Sequence, residues 1–312
     1  MVGTVAITDP AWYRVLRESG FDEVNFWKPS ARQAFKADEF SPFFFKLPKP
    51  HYAICGFGFF VRFATLPVWL AWETFGRANG CESLDELEDR IRRHRERFRY
   101  TPRPGSRDNE IGCIVIMNPI FLPEDRWVAQ PVDWPKHGQR PKRYDLTRGE
   151  GERVWRECLE AAEAMVPPRV LRETTSADGE RYGAPWFAPR RLGQAAFRIA
   201  VTEAYERACA LTGEHSLPVL EAAHIRPYAR GGVHEVPNGL LLRADLHKLF
   251  DRGYLTVTPD YRVRVSARLR EEYDNGRTYY PLDGARVRVP EDRAARPDRA
   301  LLEWHSTEVF AA

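Results

Sequence analysis

Sulfur is scarce in this chain: five cysteines and three methionines stand among 312 residues. Cys55, Cys81, Cys113, Cys158 and Cys209 are scattered and odd in number, which argues against a disulfide framework and suits a reducing compartment. No CxxC pair occurs, so the closely spaced thiolates of a structural zinc site are missing. Long apolar runs are missing too, since none approaches the ~20 residues that span a bilayer, and no membrane role is indicated. The start, MVGTVAITDPAWYRV, lacks a basic segment followed by an apolar one, so export by that route is not expected and the cytoplasm is the expected location. A strong excess of one charge sign is absent as well, with 47 Lys and Arg against 44 Asp and Glu. A net charge of +3 permits nucleic-acid binding without requiring it.

What is present is ordinary globular material, 43% hydrophobic and 29% charged, in a chain long enough for two domains. The segments 25–30 (NFWKPS), 41–47 (SPFFFKL), 51–63 (HYAICGFGFFVRF) and 111–122 (IGCIVIMNPIFL) read as strands. Between them, LPVWLAWETFG and SLDELEDRIRRHRERF have helical spacing, and Ser83 with Glu86 forms a capping box. The stretch from 167 to 190 mixes Pro, Gly and polar residues without periodicity and reads as a linker. It divides residues 1–166 from 191–312, where LGQAAFRIAVTEAYERAC opens with another helix. The expected class is α+β in both parts.

Residues 221–253, EAAHIRPYARGGVHEVPNGLLLRADLHKLFDRG, gather three of the eight histidines beside an Asn and an Asp. Locally this is a strand turning at Pro227, a glycine-containing loop ending at Asn238, a second strand GLLLR and a helix stopped at Gly253. His247 and Asp251 are four apart and share one helix face, where they can hold a divalent cation or form a simple surface hydrogen bond. His224 lies on the first strand and can face the helix. Asn238 can anchor the loop or fix an imidazole tautomer. Arg226, Arg230 and Arg243 flank the cluster and suit phosphate contacts, or solubility alone. His215 and His234 read as solvated, and His305 as support near Trp304.

The order His224, Asn238 fourteen residues on and His247 nine further resembles the HNH nuclease motif of the ββα-metal fold, with flanking similarity over roughly 190–310. The resemblance implies that His224 is the general base activating water, that Asn238 holds the loop, and that His247 and Asp251 ligate one metal ion. Ala223 departs from the pattern, because many relatives carry Asp or His there, and Glu221 is a weaker substitute. One His and one carboxylate, completed by water and substrate oxygens, suit Mg²⁺ or Mn²⁺ better than zinc.

A nuclease needs a domain that selects its target. NFWKPS, FSPFFFKL and YAICGFGFF resemble the PUA-like superfamily, particularly its EVE and YTH branch, related to SRA domains. That likeness implies a small sheet or barrel with helices, which takes a modified base, 5-methylcytosine or 5-hydroxymethylcytosine, out of double-stranded DNA. Phe26, Trp27 and Trp134 offer stacking faces, while Ser30 and Asp133 offer polar groups. Together these features imply a modification-dependent restriction endonuclease acting as a homodimer, one active site per DNA strand. The alternatives are a first domain that reads RNA or unmodified DNA, and a binding protein whose nuclease fold is silent.

Overall fold

The computed structural model describes residues 1–98, 100, 109–135, 140–165, 193–274 and 276–311. It divides into two compact units, Met1–Arg190 and Arg191–Ala312. The segment read as a linker, 167–190, lies outside the described residues. Both units are mixed α and β, the class expected from the sequence. Among the described residues no helix is long and apolar enough to cross a membrane.

The first unit is built on one mixed sheet. Its strands are β1 (Val2–Ile7), β2 (Glu23–Lys28), β3 (Pro42–Lys46), β4 (Ala53–Pro67), β5 (Glu110–Phe121), β6 (Val128–Ala129) and β7 (Lys142–Asp145). The order is β2-β5-β4-β3-β1-β7, with β6 added to β4; β1 and β3 run parallel and the other pairs antiparallel. Among the described residues the unit also holds helices α1 (Pro10–Arg17), α2 (Val68–Phe75), α3 (Leu84–Arg97) and α4 (Gly149–Glu163). Strand β3 explains the sheet's central place, because Phe43, Phe44 and Phe45 in succession leave no face for water. All three are fully buried. Phe44 packs toward Trp155 of α4, while Phe43 and Phe45 pack with Phe26.

Local chemistry sets the helix ends. Asp9 caps α1 by accepting from the Ala11 amide at 2.7 Å, and Pro10 fills the first helical position, where no N–H is needed. Ser83 caps α3 as expected, its Oγ accepting from the Glu86 amide. The returning Glu86 carboxylate accepts from the Glu82 amide instead of that of Ser83, a shifted form of the box. Gly80 has φ +72°, and a Cβ there would lie 2.2 Å from the Trp12 ring. Only glycine lets that indole pack.

The second unit holds α5 (Gln194–Ala204), β8 (Leu220–His224), β9 (Gly239–Arg243), α6 (Ala244–Asp251), the hairpin β10 (Leu255–Val257) and β11 (Val263–Val265), α7 (Arg268–Tyr273) and α8 (Arg299–Glu308). Strands β8 and β9 pair antiparallel, His224 opposite Gly239 and Glu221 opposite Leu242. Helices α5 and α6 both pack on this pair, so Leu240, Leu241 and Leu242 are all fully buried. Each such side chain contributes on the order of 2 kcal/mol through lost water contact. The result is a packed strand-strand-helix frame around the histidines.

Candidate functional site

Asn238 closes the loop between β8 and β9. Its side chain is buried; Oδ1 accepts from the Arg226 amide at 2.9 Å, and Nδ2 donates to the carbonyls of Arg226 at 2.9 Å and Val233 at 2.8 Å. Its own carbonyl accepts from the Ile225 amide. One amide thus pins both ends of the loop, and only a side chain with adjacent donor and acceptor can do so. Gly232 makes the tight return possible, since a Cβ there would stand 1.8 Å from the Arg226 carbonyl oxygen.

The pinned loop carries His234 to His224. The two rings meet through Nε2 of His224 and Nδ1 of His234 at 2.9 Å. Phe197 of α5 stacks on the His224 ring at 3.9 Å, and Tyr228 stacks on His234 at 5.2 Å. Burial, followed by the nearby His234 and His247, pushes the His224 imidazolium down to about 4, so the ring is neutral at pH 7. Two neutral imidazoles sharing one hydrogen bond keep one free lone pair between them. It sits on Nδ1 of His224 if His224 donates, or on Nε2 of His234 if His234 donates.

Helix α6 supplies the second half of the site. His247 Nδ1 donates to Glu221 Oε2 at 2.6 Å, which orients the ring, and in the neutral ring Nε2 is then the lone-pair nitrogen. That nitrogen faces Asp251 Oδ2 at 3.3 Å. A lone pair opposite a carboxylate oxygen requires a proton or a cation between them. Burial and the Glu221 charge raise the Asp251 carboxyl, while His247 opposes the shift. The spacing is that of two donors in adjacent positions on a divalent ion with bonds of about 2.1 Å. These two residues therefore fit a metal, with other positions left to water and substrate. Among the described residues no group of three or more His, Cys, Asp or Glu is placed to hold one. Ala223 is fully buried against the core and offers nothing, and Glu221 orients His247 from its far nitrogen without converging on Asp251.

The flanking residues are already engaged. Arg243 makes a forked pair with Asp245 at 2.7 and 2.8 Å, so its availability to phosphate is reduced. Arg226 donates through Nε to the Arg230 carbonyl and lies over Trp304, as Arg230 does. His305 is a core residue: it stacks on Phe250 at 3.6 Å, donates to the Phe250 carbonyl and meets Thr256 Oγ1 at 2.8 Å. The reading of His234 as solvated is corrected by its bond to His224. Nothing in local periodicity marks it, because the contact exists only once the loop folds back.

In the first unit, the five residues proposed for a base pocket are not brought together. Phe26 packs with Phe43 and Phe45. Trp27, next on β2 and so turned the other way, donates its indole N–H to the Asn79 carbonyl at 3.0 Å, with Arg90 over its ring. Ser30 Oγ accepts from the Arg32 amide. Asp133 is held by Lys142 at 2.6 Å and by the Tyr144 hydroxyl at 2.9 Å, which keeps its carboxyl below the usual range. Trp134 belongs to the cluster containing Phe44, on the opposite face of β3 from Phe26. The physical reason is strand alternation across a sheet covered on both sides.

Residues 209–258 match the family model described as HNH endonuclease. This segment contains His224, Asn238, His247 and Asp251, the residues that the fold brings together. No curated protein matches the chain. Among solved structures, a modification-dependent restriction endonuclease, TagI, is similar at 14% identity over 96% of this chain and 79% of that one, with a TM-score of 0.31. An ASCH protein from Zymomonas mobilis is similar at 10% identity over 49% of this chain and 92% of that one, with a TM-score of 0.34.

Proposed function

We propose that the chain is a modification-dependent endonuclease whose second unit hydrolyses phosphodiester bonds in double-stranded DNA and whose first unit reads modified cytosine. The observation that carries the nuclease reading is the convergence of a neutral, half-buried His224, a loop pinned by Asn238 and the His247–Asp251 pair within the segment matching the HNH family.

In this reading the His224–His234 pair accepts the proton of an attacking water, directly or through the shared hydrogen bond. A base with a depressed proton affinity is weaker but remains available at every physiological pH. Asn238 fixes the distance between that pair and the backbone of Arg226. His247, oriented by Glu221, and Asp251 would hold Mg²⁺ or Mn²⁺. The ion would supply charge stabilisation at the phosphoryl oxygens and the leaving 3′ oxygen. Arg226 and Arg243 would steer phosphate once their present partners, the Arg230 carbonyl and Asp245, yield. One site per chain serves one strand, so a double-strand cut calls for a homodimer.

The test is cleavage of one plasmid prepared unmodified, with 5-methylcytosine, with 5-hydroxymethylcytosine and with N6-methyladenine, each in Mg²⁺, Mn²⁺ or EDTA. Metal-dependent cutting of a cytosine-modified form alone is the expected result. Equal cutting of all four would remove the modified-base reader, and cutting in EDTA would remove the metal.

A further inference from the structure

Lys46 is a charged residue in the wrong place for a protein interior. It ends β3 beside the phenylalanine run, is only 2% exposed, and among the described residues its ammonium donates to one acceptor, the Leu47 carbonyl at 3.1 Å. No carboxylate lies within ion-pair distance of it among the described residues. Its nearest large neighbours are rings: Trp134 with its centroid 5.1 Å from Nζ, and Tyr52 at 5.8 Å. Burial lowers its proton affinity. An ammonium removed from water and given one hydrogen bond out of three is costly unless another group completes its shell.

The space for such a group exists. Lys46, Tyr52 and Trp134 line a cleft of about 1160 Å³ in the first unit, together with Gln130, Lys49 and Arg97. Among the described residues the buried Gln130 Oε1 has no hydrogen-bond partner. The Gln130 backbone N–H donates to the Tyr52 carbonyl at 3.0 Å, so the segments bearing these two residues are tied together. Tyr52 holds φ at +48°, a costly backbone for a bulky side chain, yet the residue is 48% exposed and lines the cleft.

These features define an occupant by its chemistry. The half-exposed Tyr52 side chain offers a planar body one stacking face. The spare N–H groups of Lys46 call for ring nitrogens or carbonyl oxygens, and the orphan Gln130 oxygen calls for an N–H on the same edge. Lys49 and Arg97 call for an anion outside. A cationic ligand is disfavoured, because the Lys46 ammonium already lies against the Trp134 ring at 5.1 Å and the Tyr52 ring at 5.8 Å, with Lys49 and Arg97 beside it. We infer that this cleft, rather than the surface of Phe26 and Trp27, takes a single nucleobase extruded from DNA, with its acceptor edge on Lys46 and an amino group on Gln130. Cytosine has that edge, with acceptors at O2 and N3 beside the exocyclic amine. The inference rests on the reading of the first unit as a base reader and gives that reading its pocket.

The test uses the full chain in EDTA with duplexes carrying one 5-methylcytosine, one 5-hydroxymethylcytosine or plain cytosine, and 2-aminopurine next to that position to report unstacking. Wild type is expected to bind a modified duplex more tightly than the plain one and to raise 2-aminopurine fluorescence. Tyr52→Ala, at an exposed ring, is expected to cut the ratio of the two affinities by about tenfold, within the range that base–aromatic stacking supplies. Lys46→Met and Gln130→Leu should flatten both the ratio and the fluorescence, whereas Arg92→Gln on the exposed face of α3 should leave them unchanged. Circular dichroism identifies any variant that fails to fold, in which case Tyr52→Ala and Gln130→Leu decide. Discrimination that survives in all folded cleft variants would overturn the cleft and leave the base-reading function standing. A wild type that binds every duplex equally would remove that function and the cleft together.

Discussion

Replacing Asn238 with Ala should release the loop between β8 and β9, and the size of the effect follows from three hydrogen bonds. The side chain accepts from the Arg226 amide and donates to the Arg226 and Val233 carbonyls. At about 1 kcal/mol net for each, the loss is about 3 kcal/mol of local stability. Since 1.4 kcal/mol is tenfold, the loop's opening equilibrium should rise by about a hundredfold. Hydrogen exchange of the full chain, read by mass spectrometry on the segment 225–234, measures this directly, and first-unit peptides serve as the control. Asn238→Asp separates the roles of the two amide atoms. It keeps an acceptor for the Arg226 amide but turns a carboxylate oxygen toward two carbonyls, so it should open the loop at least as much as Ala does. Protection within twofold of wild type in both variants would refute the argument that Asn238 holds the loop.

Four further outcomes follow from the same geometry. His224→Ala should reduce cleavage by about 10²–10⁴-fold, the usual contribution of a general base, while gel-shift affinity for DNA is kept; wild-type cutting would reassign the base. His247→Ala and Asp251→Asn should each abolish Mn²⁺ binding by calorimetry without DNA, and Glu221→Gln should weaken it by about 10–100-fold through a misoriented imidazole; unchanged binding in the first two would move the metal elsewhere. Gly232→Ala, whose Cβ would meet the Arg226 carbonyl at 1.8 Å, should lower the urea midpoint of the second unit, and a midpoint equal to wild type would show that the loop yields freely. His305 is buried and pushed down to about 4 from 6.5, so its folded form binds a proton less readily than its unfolded form. Its stabilisation is complete above pH 6.5 and is lost as pH falls toward 4, a change of about 3 kcal/mol. His305→Gln should flatten that part of the urea-midpoint profile, and an unchanged slope would contradict the assignment.

The sequence alone determined the local frame of the second unit. Strand, loop, strand and helix follow from the stretches VLEAAHI, GLLLR and ADLHKLFD punctuated by Pro227, Asn238 and Gly253. Helical spacing alone puts His247 and Asp251 on one face, and the structure places them 3.3 Å apart. In the first unit the same local signals located the main strands and the Ser83 cap, because period and capping are properties of neighbouring residues. Tertiary structure decided everything that required distant segments to meet. It brought His234 onto His224 by folding a loop across ten residues, and set Glu221 behind His247 by pairing β8 with β9 beneath α6. It also separated Phe26 from Trp134, because β3 is buried on both faces and adjacent residues of a strand point apart. Lys46 reads in sequence as an ordinary charge at the end of an aromatic run. Only the sheet that buries it, and the two rings that enclose it, make it a candidate for binding.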